Sequence, residues 1–293
     1  MEASSLNIKI HNHARSNSLP SKPHPIILQC DEYLAILGGG GASSDSTTTS
    51  SASLLTQKLS ILLDLHNCVQ NLVQLPLTQE ALVHQRREKW VEELLEGSLM
   101  LLDACTTTKD ALLHTKECSR ELQSIIRRRR QGQVELTIEV KKFLTSRKVV
   151  RKSIFKALEN LKGHNANKCN PSMINKEYQT VNLLKEIQVT SFAIFESLLN
   201  FISGSTQSKR GGWPLVLKLM NKKRMLSNTE ENNEFAKVDD ALQFFAFNMG
   251  NIDDLQNKLL RLGSCIQDLE EGLESLFRRL IKIRVALLNI LNH

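Results

Sequence analysis

From Ile252 to Ile290 the chain sets Ile or Leu at positions 252, 255, 259, 262, 266, 269, 273, 276, 280, 283, 287 and 290, alternating steps of three and four without a miss. An α-helix has about 3.6 residues per turn, so this alternation lines all twelve side chains along one stripe. Such a stripe runs ~58 Å at 1.5 Å per residue. Each of these side chains gains ~1.5–3 kcal/mol on leaving water, so the helix cannot stand alone in solvent. It must face its own chain's helices or another subunit. Past Leu276 the apolar face widens as Phe277, Ile281, Val285 and Leu288 join it. A wide face suits burial among several helices better than a two-stranded zipper. A monomeric bundle is therefore expected ahead of a coiled-coil dimer.

Upstream, aromatic residues make up only 5% of the chain and the six prolines fall almost entirely outside the apolar-periodic stretches. That composition favours helices over sheets. No segment with a two-residue apolar period is convincing as a strand. The expected fold is all-α: an elongated antiparallel helical bundle with a long heptad-patterned C-terminal helix and a disordered N-terminal tail. The tail covers residues 1–53, with a short docking helix at 26–37 followed by the linker GGGGASSDSTTTSSAS. Residues 54–293 then form one helical-bundle domain with loops near 163–172, 204–213 and 227–234. Ser53 is expected to cap the first bundle helix, which runs to Leu75. Thr78 is expected to cap the next, which continues to Arg130 with a break at Gly97 or at Thr106–Thr108. A helix from Gln133 to Lys162 with Gly163 as its stop follows, then one from Pro171 to Ser203, and a short one from Pro214 to Leu226.

The net charge of +7 is unevenly placed. Between Arg127 and Lys162 twelve basic residues meet three acids, a net +9, so one segment carries the whole basic character. On the helix from Gln133, residues Leu136, Val140, Phe143, Val150, Ile154, Leu158 and Leu161 share one face. Lys141, Lys148, Lys152 and Lys156 fall nearly opposite. With Arg127, Arg128, Arg129 and Arg130 at the helix entrance, they make a concentrated cationic edge. An anionic lipid surface or an acidic protein fits it. A solvated face that keeps the bundle soluble is the plainer reading. Nucleic acid ranks lowest, because the interleaved aromatics that base stacking requires are missing and no helix-turn-helix or zinc spacing occurs.

Catalytic signals are weak. The chain has no G-x-x-x-x-G-K-[ST], G-x-S-x-G or H-E-x-x-H motif. His66, next to Val69 on a helix seam, reads as a core histidine; Trp90 and Trp213 read as packing anchors. The acid pairs Asp253-Asp254 and Glu270-Glu271 read as solvated helix faces. No enzyme activity, metal or cofactor is expected. The six cysteines show no C-x-x-C spacing and read as reduced core thiols in a reducing compartment, taken as the cytoplasm. The Ser-rich, acid-poor stretch from Ala3 to Cys30 leaves a plastid transit segment as the alternative.

One stretch of the tail is ordered in its chemistry. Arg15-Ser16-x-Ser18-x-Pro20 matches the R-S-x-S-x-P pattern that 14-3-3 proteins read when the second serine is phosphorylated. Phosphorylation of Ser18 would add about −1.5 to −2 charges and strong acceptors for an arginine cluster.

Five blocks in order carry a family likeness: HARSNSLPSKPHP; QLPLTQEALVHQRREKWVEELLEGSLMLLDACTTTKDALL; EVKKFLTSRKVVRKSIFKALENLKG; SGSTQSKRGGWPLVLKLM; and LESLFRRLIKIRVALLNIL. Together they resemble the plant-specific BYPASS-like proteins over nearly the whole chain. The resemblance implies a plant protein associated with root and shoot development, with no known catalytic residues or cofactor. It supplies no binding residue to carry over. The expected function is a non-enzymatic adaptor or regulator in plant development. A peripheral membrane-associated scaffold using the basic edge 127–162 is the alternative, and nucleic-acid binding comes last.

Overall fold

The computed structural model describes residues 24–39, 50–128, 133–166, 179–204, 233–248 and 251–292. Among the described residues there are eight helices and no strand: α1 Pro25–Gly38, α2 Ser51–Val73, α3 Pro76–His84, α4 Lys89–Arg128, α5 Gln133–Ala166, α6 Gln179–Ser203, α7 Glu234–Asn248 and α8 Ile252–Asn292. The helix expected at Pro214–Leu226 lies outside the described residues.

α8 is the spine. Its seam is buried from Leu255 through Leu287, against α2 on one side and α4 on the other. Polar contacts along the α4 boundary fix the direction of packing: Lys116 meets Glu270, Lys109 meets Glu274, and Arg284 reaches the Leu95 carbonyl, so the two helices run antiparallel. α5 is likewise antiparallel to α4, with Cys118 beside Ser146 and Lys142 beside Glu121. α6 covers α2, α4 and α5, and α7 closes the gap between α5 and α8. One apolar core runs through all of them, including Leu62, Leu112, Ile154, Phe195, Leu242 and Leu273.

The widening of α8 past Leu276 does not mean deeper burial. Ile281 and Val285 remain 40% and 49% exposed, and Phe277 and Leu288 are only half-buried. Ile252 at the start of the stripe is also exposed. The narrow seam between α2 and α4 is fully buried, while the broadened side is only partly covered.

Several helix ends differ from those read in the sequence, each for a local reason. α2 is capped by Ser50, whose hydroxyl accepts the Ser53 amide at 3.2 Å, rather than by Ser53. Pro76 takes the first turn of α3, where its missing N–H costs nothing. Thr78 is therefore inside the helix and buried instead of capping it. The expected break at Gly97 or Thr106–Thr108 is absent. Thr106 and Thr108 turn their hydroxyls back to the carbonyls of Leu102 and Ala104, at 2.9 and 2.7 Å, and the helix passes unbroken. The break falls instead at residues 85–88, where the Trp90 indole donates to the Gln85 side chain across the corner at 3.1 Å. Gly97 has a packing role: a Cβ there would come within 2.0 Å of the Gln188 side chain on α6. Gly163 does not stop α5, which continues to Ala166, and the described part of α6 begins at Gln179.

α1 occupies the stretch Ile26–Leu37 and buries Cys30 and Leu34 where it packs on α2 and α6, so apolar packing begins upstream of residue 53. α7 has no counterpart in the sequence reading, which took the polar run SNTEENNE to lead directly to the last helix. Its core side chains Phe235, Val238, Leu242 and Phe245 recur at three and four residues, and Asn233 caps it by accepting the Phe235 and Ala236 amides at 2.9 and 3.1 Å.

Candidate interaction surface

α5 sorts its basic residues by direction. Leu136, Val140, Phe143, Val150, Ile154, Leu158 and Leu161 are all buried, as the helical spacing requires. Lys141, Lys148, Lys152 and Lys156 are all exposed, on the side facing away from the core. None of the four makes an ion pair among the described residues. Arg127 and Arg128 are exposed at the end of α4, with Arg128 donating to Ser124 at 2.9 Å. Arg129 and Arg130 lie outside the described residues, as do Arg15, Ser16, Ser18 and Pro20.

Two members of the same basic segment point inward. Arg147 is 1% exposed and meets Asp239 of α7 through two bonds, at 3.1 and 3.0 Å. Its guanidinium also donates to the Ile202 carbonyl at 2.7 Å and lies 5.3 Å from the centre of the Phe235 ring. Arg151 donates to the Ser203 carbonyl at 2.8 Å and to Asp239 at 2.6 Å. The two cations thus satisfy the last carbonyls of α6, at the negative end of that helix's dipole. Gly204 completes the cap: with φ of +71° it occupies the left-handed region open to glycine. A planar, five-donor guanidinium can serve a carboxylate and a carbonyl at once, which a lysine cannot. That difference could have flagged Arg147 and Arg151 in the sequence. They interrupt an otherwise lysine-bearing helix, and Arg147 falls within the apolar arc between Phe143 and Val150.

Lys142 is drawn sideways to Glu121 of α4 at 3.3 Å and to Glu139 at 3.6 Å; the hydrogen bond to Glu121 and its charge raise the ammonium pKa. What remains is a ridge of four lysines. Three large apolar side chains share it: Ile138, Val149 and Phe155, at 57%, 62% and 55% exposure. The sequence reading passed over these three because it scored only the lysines on that side. Beside the ridge, a groove of about 770 Å³ separates α5 from α4, with Lys156 and Ala157 on one wall and Glu96 and Asp103 on the other.

The remaining candidate residues take structural positions. His66 is buried and its Nε2 lies 3.0 Å from the Ser191 hydroxyl. That hydroxyl gives its own hydrogen to the Ile187 carbonyl, so His66 must donate through Nε2 and leave Nδ1 as an acceptor with no partner among the described residues. Burial, reinforced by the Arg279 charge, pushes its pKa down to about 4. Trp90 is partly buried and Trp213 lies outside the described residues. Glu270 is not simply a solvated acid, since it is half-buried and pairs with Lys116, while Glu271 accepts from Gln267. Asp254 pairs with Lys258 in the first turn of α8. The five described cysteines are free thiols, and burial raises those of Cys30, Cys105 and Cys265 to about 12. No described helix is long and apolar enough to cross a membrane.

No curated protein and no solved structure gives a match to this chain. A family model does: the one described as Protein BPS1 matches residues 58–290, well over half of the chain, from within α2 to the last turn of α8. The chain belongs to that family, the one to which its BYPASS-like sequence blocks point.

Proposed function

We propose that this protein is a non-enzymatic adaptor or regulator in plant development that works by presenting docking elements on a rigid helical body. Family membership suggests the developmental role in plants. The observation that carries the docking part is the division of polar side chains. Those inside, such as Arg147, Asp239, His66, Ser191 and Gln188, hold helix against helix. The lysines on the outer side of α5 are left without such work among the described residues. The reading includes a reducing compartment such as the cytoplasm, in keeping with the free thiols among the described residues.

The protein partner in this reading is a 14-3-3 protein, engaged through phosphorylated Ser18 in the segment Arg15–Pro20. The test is binding of full-length protein to a 14-3-3 protein before and after phosphorylation at Ser18. Binding is expected only after phosphorylation and only with Ser18 present. Equal binding by the Ser18→Ala protein would remove the phosphorylation-dependent partner.

A further inference from the structure

We propose that the outer side of α5 is a docking surface for an anionic phospholipid bilayer, with Phe155, Val149 and Ile138 entering the interface among Lys141, Lys148, Lys152 and Lys156. This rests on the surface-docking reading above and names its partner.

The ridge from Ile138 to Lys156 is ~27 Å long at 1.5 Å per residue. Every lysine on it is exposed, and so are all three apolar side chains. Single exposed apolar residues are ordinary on a protein surface. Three on one helical ridge, interspersed with cations, form the pattern by which amphipathic helices lie in a headgroup region. The lysines are drawn to anionic headgroups, and the apolar tips gain by leaving water only if the partner offers an apolar layer beneath the charge. A nucleic acid offers phosphates but no such layer, and the ridge has a single ring for stacking. The four lysines and three apolar side chains lie along one exposed side of a single helix, which suits a plane. The groove beside it is walled on the α4 side by Glu96 and Asp103 and disfavours an anionic peptide.

Acids border this surface and set its orientation. Glu159 lies on α5 just past the ridge. Glu92, Glu96, Asp103, Asp110 and Glu117 are all exposed on the neighbouring α4. An anionic surface repels that row, so the docked protein rests on α5 with the outer side of α4 tilted away. The anchoring of Arg147 and Arg151 to Asp239 and to the end of α6 holds α5 in place, so the ridge is ordered before it meets the membrane.

The test is co-sedimentation of full-length, unphosphorylated protein with phosphatidylserine-rich vesicles and with pure phosphatidylcholine vesicles. Each lysine is worth roughly fivefold in partitioning, so changing all four to Gln lowers binding to the anionic vesicles by a factor on the order of several hundred. Added salt weakens it, because screening shortens the reach of the charges. Phe155→Ser costs roughly three- to tenfold if the ring enters the apolar layer. A Phe155→Trp protein shifts its emission to the blue with anionic vesicles alone. Asp103→Asn with Asp110→Asn strengthens binding by relieving repulsion. Circular dichroism confirms that each variant is folded. Binding that survives the four-lysine change overturns the proposal, as does equal binding to both vesicle types or none at all. Capture by inorganic polyphosphate beads as strong as by vesicles, with Phe155→Ser neutral, overturns the bilayer in favour of a generic polyanion. None of these failures touches the Ser18 experiment, which probes a separate element of the chain.

Discussion

Along α8, the charges beside the apolar seam are matched across the boundary with α4. Glu270 pairs with Lys116, Glu274 with Lys109 at 2.5 Å, and Arg284 with the Leu95 carbonyl and the Ser98 hydroxyl at 2.6 and 2.7 Å. Along the outer side of α5, four lysines have no such partner among the described residues, while two arginines of the same helix, one buried and one partly buried, pair with Asp239. Both helices are long, amphipathic and dense in charge. What separates them is where each charge points relative to a neighbour. The charge available to a partner is smaller than the charge counted along the chain, and it lies only where no helix packs.

The largest test of this contrast falls on the buried side. Asp239→Ala leaves the Arg147 and Arg151 cations without their carboxylate, Arg147 fully buried and Arg151 only partly exposed. Removing one partner of a buried ion pair costs about 3–5 kcal/mol. Chemical denaturation should show a loss of that order, with α6 and α7 losing amide protection from hydrogen exchange first. Pairing the change with Arg147→Met, which removes one stranded charge, should recover part of it. A loss of less than ~1 kcal/mol for Asp239→Ala alone would mean that the arginines find water, and that α5 is not sorted into inner and outer charge as described.

His66 sharpens the comparison from inside α2. Its ring is neutral in the fold, with a pKa of about 4 against an ordinary 6.5, because burial disfavours the charge and the nearby Arg279 cation adds to that. The unfolded chain takes up the proton first. Its contribution is therefore present in full above pH 6.5 and is lost as pH falls from there toward 4, by about 3 kcal/mol in all. Stability measured across that window should fall steeply for the native chain and less steeply for His66→Gln. Equal slopes would place the acid sensitivity in other groups.

The apolar framework was legible in the sequence because helical periodicity is a property of the chain alone. The α8 seam from Leu255 to Leu287 and the inner face of α5 follow from spacing, and both are buried as spaced. What spacing could not show was tertiary. Ile281 and Val285 extend the stripe of α8 on a wheel but stay 40% and 49% exposed. Arg147 belongs to a cationic run by composition, yet its side chain reaches the end of α6 and a carboxylate 92 positions away. α7 was missed because its flanking residues are polar and its apolar stripe is short. What ties it to the bundle is tertiary, namely its buried Phe235, Val238, Leu242 and Phe245, the Asp239 pairs with Arg147 and Arg151, and the Asn233 cap, which also donates to the Phe201 carbonyl at 2.9 Å. The lysine ridge was readable, while its apolar members stood out only once the outer side of α5 was seen to be exposed among the described residues.

The smallest effect expected is also the most discriminating. Changing Lys141, Lys148, Lys152 and Lys156 to Gln removes four like charges from one helix and breaks no ion pair among the described residues. Surface changes of this kind usually shift stability by no more than about 0.5 kcal/mol each, in either direction. Here relief of repulsion among Lys148, Lys152 and Lys156 at four-residue spacing should offset any lost solvation. The denaturation midpoint should therefore stay close to that of the native chain at low salt and coincide with it at high salt, where repulsion is screened. Set beside the collapse expected for Asp239→Ala, a near-silent result would establish that one helix carries basic residues of two kinds, those that hold the fold and those free to meet a partner. A large loss of stability would show instead that the ridge is engaged within the molecule, and α5 would then resemble α8.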